Sequence, residues 1–216
     1  MRVRQPNPIF DDVNVHHEAG HACLMVMFGV PIFRFVRYQT WDLSISEIPI
    51  VNAVKDEERL YVDMVVRQAS RATQPMSLFH RELSVTDQER AFKKDAEQIE
   101  RVLAQAYQRV SPHWPTEVRR KLTLRSFAAQ AAVIVERETQ HLFANETLVE
   151  TVKRVAQHLK QVARIRPGAL SGDYDGGLLE EDIKAIGAAV VKETGIDFPD
   201  LAYLEIFESL CRGETD

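Results

Sequence analysis

The sequence predicts a mainly α fold with a small β-hairpin element near its start, and three observations carry that reading. Apolar residues recur at helical spacing through most of the chain. Strand-like alternation is confined to one short region, and Gly and Pro number only nine each in 216 residues. The length fits a single domain over residues 1–216, and a 45% hydrophobic share can fill a sizeable core. A net charge of −5 supplies no overall basic field, so nucleic acid is not an expected partner.

The first helix is expected to start near Asp12 to Asn14, any of which could cap it, and to stop at Gly29 with Pro31 beyond. The longest apolar run, Ala22 to Phe33, is broken by Gly29 and Pro31 and falls short of the ~20 residues of a bilayer crossing, so no membrane span is expected. The two positive charges near Met1 have no apolar stretch behind them, which argues against a secretory leader. The only cysteines, Cys23 and Cys211, read as buried free thiols of a cytoplasmic protein.

Ile32 to Tyr38 and Asp42 to Ile48 mix branched or aromatic residues with polar ones and predict two strands around a turn near Gln39 to Trp41. A second helix is expected from about Val54 to Ala72, closed by Pro75, with Tyr61, Met64, Val65 and Gln68 or Ala69 at helical spacing. The third starts near Thr86, buries Ala91, Ala96, Ile99, Leu103 and Ala106, and ends before Ser111-Pro112. From Pro115 a long helical stretch runs to about Asn145. Thr147 and Glu150 then form a capping box for a helix that buries Leu148, Val152, Val155, Leu159 and Val162, and the two should pair as an antiparallel hairpin. Arg166 to Gly177 reads as a loop, followed by helices at about Glu180 to Glu193 and Asp200 to Cys211. Residues 14–110 thus form a metal-binding and β portion, 115–187 a helical hairpin with a closing helix, and 188–216 a C-terminal appendage.

His17-Glu18-Ala19-Gly20-His21 is an HExxH sequence inside the first helix. Residues four apart share a helical face, so His17 and His21 can aim ring nitrogens at one ion, and imidazole pairs suit Zn²⁺. Glu18 is turned aside from that line, where it can take the proton of a water at the ion's open position. Gly20 costs about 1 kcal/mol relative to alanine within a helix, which suggests that another segment passes close by. His16 points away from the His17/His21 face and reads as a solvent-side or supporting group. His80, His113, His141 and His158 lack partners at ligand spacing.

The string His17-Glu-Ala-Gly-His-Ala22 resembles the peptidase domain of the FtsH family of ATP-dependent zinc metalloproteases. The order of the segments that follow is similar: Ile32 to Ile48, Val54 to Ala72, then Ser84-Val-Thr-Asp87-Gln-Glu-Arg-Ala91. His141 to Leu159 resembles the family's late helix and Leu179 to Ile183 its closing helix, so the likeness spans about residues 14–187. It implies a zinc endopeptidase whose third ligand is an Asp. Asp87 is favoured, because Ser84 or Thr86 can cap the helix there and Ala91 follows at the family's spacing. Asp95 is the alternative: it lies nearer the family's usual distance from the second His, but in mid-helix. Glu82 and His80 complete the candidates. The family's Gly-Gly-Arg-x-Ala-Glu-Glu stretch is represented by Gln68-Ala-Ser-Arg71-Ala-Thr-Gln74, without its acidic residues, and the 216 residues hold no Walker-type phosphate loop.

The expected function is therefore hydrolysis of peptide or unfolded-protein substrates, with a separate ATPase or adaptor as a possible source of clients. The oligomeric state is left open. An idle, zinc-stabilised protein-binding module is the alternative, and a phosphate- or nucleic-acid-binding helical module with an incidental HExxH is a third. The basic residues Arg119, Arg120, Lys121 and Arg125, with Lys153, Arg154, Lys160, Arg164 and Arg166, read as a solvated face, and Asp173-Tyr-Asp175 as a turn rather than a calcium loop.

Overall fold

Helix α1 (Pro8–Met27) is the inner helix of the fold: Val13, Val15, Ala19, Ala22, Cys23, Leu24, Met25 and Met27 are all buried, and so are its polar residues Asp12, His16, His17, Glu18 and His21. The computed structural model describes residues 8–28, 35–37, 43–45, 57–78, 80–165 and 201–214. Among them are seven α-helices: α1, α2 (Glu57–Thr73), α3 (Val85–Val110), α4 (Thr116–Lys121), α5 (Leu124–Phe143), α6 (Glu146–Ile165) and α7 (Leu204–Arg212). Two three-residue strands, β1 (Phe35–Arg37) and β2 (Leu43–Ile45), pair antiparallel with Val36 opposite Ser44. The turn expected near Gln39 to Trp41 and the helix expected from Glu180 to Glu193 lie outside the described residues. None of the described helices is long and apolar enough to cross a membrane.

Several boundaries differ from expectation for local reasons. α1 begins a turn earlier, at Pro8, whose fixed φ suits a first helical position, so Asp12 lies within the helix and is buried rather than capping it. The long helix after Pro115 is two: Leu122 turns inward, and Thr123 caps α5 by accepting from the Ser126 amide at 3.3 Å. α6 is capped by Asn145, whose Oδ1 accepts from Leu148 N at 3.2 Å, so Thr147 lies inside the helix. α6 also packs chiefly on α1 and only lightly on α5, which replaces the expected pairing of the two late helices. Its stripe of Leu148, Val152, Val155 and Leu159 is buried as expected.

α2 is the hub, packed against α1, α3, α5 and α7. It crowds α1 at Gly20, where a Cβ would stand 2.6 Å from Thr73 Oγ1 and 2.7 Å from Thr73 Cγ2. Thr73 cannot easily turn away, because a β-branched side chain in a helix is stiff and its hydroxyl donates to the Ala69 carbonyl at 3.1 Å. Gly20→Ala should therefore destabilise the fold by about 1–3 kcal/mol, despite alanine's better helix propensity. Thr73→Ala in the same chain should recover most of that loss. Thermal melts of both single variants and the double check this, and strict additivity would exclude the contact as the cause.

Candidate metal centre

α1 places His17 and His21 one turn apart, with rings edge to face and centroids 4.7 Å apart. Their Nε2 atoms are 3.1 Å from each other. From α3, Asp95 brings Oδ2 to 3.1 Å from His17 Nε2 and 3.3 Å from His21 Nε2. Tetrahedral zinc with bonds of about 2.0–2.1 Å has donor-to-donor edges of roughly 3.3–3.4 Å, so this triangle is close to one face of a zinc tetrahedron. Glu18 stands at its rim, with Oε1 3.7 Å from His17 Nε2. His17, Glu18, His21 and Asp95 are all buried.

Among the described residues the carboxylate that meets both imidazoles is that of Asp95, the alternative candidate, and not that of the favoured Asp87. Asp87 lies on the same helix, about 12 Å before Asp95 along an axis that rises 1.5 Å per residue, so a single ion cannot take both. The side chains of Asp87 and His80 lie outside the described residues, and Glu82 is exposed. His16 is buried rather than solvent-side: its Nδ1 donates to the Asp12 carbonyl at 2.8 Å, away from the cluster. Burial, helped by the charge of Lys153, lowers its pKa to about 4, so it stays neutral. His113 and His141 are exposed.

Two imidazole lone pairs and a carboxylate oxygen cannot share so small a space without a cation among them. In the chain alone that cation is a proton. Burial opposes charge on His21, but the charge and hydrogen bond of Asp95, the charge of Glu18 and the Val66 carbonyl outweigh it and raise the pKa to about 9. Burial likewise opposes charge on Asp95, and the two histidines overcome it and hold the carboxyl far below the usual carboxylate range.

Outer partners come from α2 and its 3-10 continuation (Gln74–Met76). His21 Nδ1 donates to Val66 O at 2.7 Å, and the Ser70 hydroxyl donates to Asp95 Oδ2 at 3.0 Å. The Gln74 amide lies 3.2 Å from His17 Nδ1. Nearby, Arg67 grips Asp63 through Nε at 3.0 Å and Nη2 at 3.3 Å, both residues being buried. Burial raises the Asp63 pKa, while Arg67 and His21 pull against that shift. In the sequence Gln68 to Gln74 stands out only as a departure from the family's acidic stretch, and Asp63, Arg67 and Val66 carry no motif. For Asp63 and Arg67 the available signal is a pair of opposite charges four residues apart, flanked by the apolar Val62, Met64, Val65 and Val66. Comparison with family models, curated proteins and solved structures finds no match to this chain.

Proposed function

We propose that the chain is a zinc-dependent endopeptidase in which His17, His21 and Asp95 hold the ion and Glu18 is the base, a reading that extends the likeness to the FtsH peptidase domain. The observation that carries it is the donor triangle at zinc spacing with the HExxH glutamate at its rim. Zinc, when bound, supplies Lewis acidity, which polarises the scissile carbonyl and brings the pKa of its water to about 7. Glu18 accepts the proton from the attacking water and passes it to the leaving amine. Asp95 and the two histidines fix the ion's place, and their burial keeps bulk water from competing. An extended peptide would align by backbone pairing with an edge of the β element formed around β1 and β2. With no phosphate loop in these 216 residues, substrates would be flexible peptides or clients delivered by a separate ATPase or adaptor.

The test is cleavage of an unstructured peptide library by zinc-loaded protein beside Glu18→Gln. The variant should keep its zinc and lose about 10²- to 10⁴-fold in rate, the contribution of a positioned general base. Cleavage unaffected by Glu18→Gln at equal zinc content would refute the mechanism. One observation favours a second reading, a zinc-stabilised binding module: all four site residues are less than a tenth exposed, as in closed structural zinc sites. Full zinc occupancy without cleavage would select it.

A further inference from the structure

Val66, Ser70 and Gln74 follow one another at four-residue steps, so they stack along one face of α2 and its continuation. Each meets a different donor group. The Val66 carbonyl takes His21, the Ser70 hydroxyl takes Asp95 and the Gln74 amide takes His17. Ser70 is fully buried and Gln74 only 3% exposed, so water does not stand in for either. None of the three partners carries a charge. The close approach of Gly20 to Thr73 brings this ridge within reach of α1.

We infer that this uncharged ridge orients the three metal-binding groups, and that Gln74 is the positioning residue for His17. When His17 gives the Nε2 lone pair to an ion, its ring proton sits on Nδ1, facing Gln74. An amide can present its oxygen there and accept that hydrogen bond. A half-turn presents the NH₂ group instead, which donates to a bare Nδ1 when Nε2 carries the proton toward Asp95. Gln74 therefore serves the loaded and the metal-free ring equally, whereas a carboxylate could only accept. Outer carboxylates raise the basicity of the ligand they touch and tighten the metal, so the amide gives a properly aimed but more weakly held ion.

This inference rests on the proposed metal site. The experiment measures zinc affinity of the whole chain by competition with a chromophoric chelator, and records the visible absorption of the Co²⁺-loaded form. Parent, Gln74→Ala and Gln74→Glu are compared. Gln74→Ala should bind zinc about 10- to 100-fold more weakly and show an altered cobalt band as His17 loses its support, while Gln74→Glu should bind at least as tightly as the parent. Gln74→Ala within about twofold of the parent, or Gln74→Glu weakened as much as Gln74→Ala, would overturn the inference. Should Gln74→Ala fail to fold, Gln74→Glu decides alone: binding at least as tight as the parent's supports the ridge and weaker binding overturns it. A parent that holds neither ion removes the metal site and the ridge together. A parent that binds while Gln74 proves indifferent removes the ridge only.

Discussion

Stripping zinc from the protein with a chelator should lower its melting temperature by about 10 °C at neutral pH. At the proposed site zinc would bind a cluster that the unfolded chain lacks, so an ion at a thousand times its dissociation constant would add about 4 kcal/mol, and each kcal/mol moves a chain of this size by roughly 2–4 °C. His17→Ala, His21→Ala and Asp95→Asn should each lose more affinity than the roughly 100-fold that an outer partner can cost, whereas Asp87→Asn should bind as the parent does. The reverse ranking of the two aspartates would remove Asp95 from the site. The pH dependence gives an independent check. In the metal-free chain the folded His21 pKa of about 9 exceeds its unfolded value near 6.5, so the folded state holds the extra proton. That stabilisation is complete below about pH 6.5 and fades as pH rises to about 9, a loss on the order of 3 kcal/mol. Zinc at the proposed site would have to displace the same proton, so the gap in stability between loaded and metal-free protein should widen over that interval. Parallel pH curves for the two forms would mean that the ion binds elsewhere.

What could be read in advance was what is local. An i, i+4 pair of histidines defines its own geometry, and apolar stripes define which faces of α2, α3 and α6 are buried. The third ligand depends on how α3 packs on α1, and no local rule supplies that. The mid-helix position that counted against Asp95 is instead its mark. Aspartate is a poor helix former, so one placed beside buried Ile99, a turn further along α3, implies a partner across the interface. Here the partners are His17, His21 and Ser70. The segment Gln68 to Gln74 has the same lesson. Compared with acidic residues it reads as a loss, yet its Ser70 and Gln74 occupy hydrogen-bonding places around the cluster that neutral groups can fill.

Glu138→Ala should release the C-terminal helix and cost about 3–5 kcal/mol, the range for removing one partner of a buried charged network. Glu138 sits in the C-terminal third of α5, completely buried, and its carboxylate accepts from Tyr61 OH at 3.0 Å, Ala202 N at 3.2 Å and Tyr203 N at 2.8 Å. The two amides open helix α7, whose N-cap, Tyr203, offers no side-chain cap, so an acid from another helix satisfies them and meets the positive end of the helix dipole. Burial and the neighbouring Glu138 charge raise the Tyr61 pKa well above the usual phenol range, so its hydroxyl remains a donor. The remaining anchors of α7 are apolar or neutral: Tyr61 stacks on Phe207 at 5.1 Å, Trp114 Nε1 donates to Cys211 O at 2.7 Å, and Gly213, at φ 74°, ends the helix against the Trp114 ring. Without the carboxylate, two amides and a phenol stay buried and unpaired unless α7 lifts away. Glu138→Gln keeps the volume but replaces one acceptor with a donor, and should cost about 1–3 kcal/mol. Tyr61→Phe loses one hydrogen bond and should cost about 1 kcal/mol. Thiol labelling separates release of the helix from global unfolding. Burial, with the charges of Glu57 and Glu208, raises the Cys211 pKa to about 12, so the parent should label slowly at both cysteines. In Glu138→Ala, Cys211 should become reactive while Cys23, buried in α1, stays protected. Equal labelling of both would mean that the whole fold had opened, and unchanged labelling of Cys211 would show that Glu138 does not hold α7.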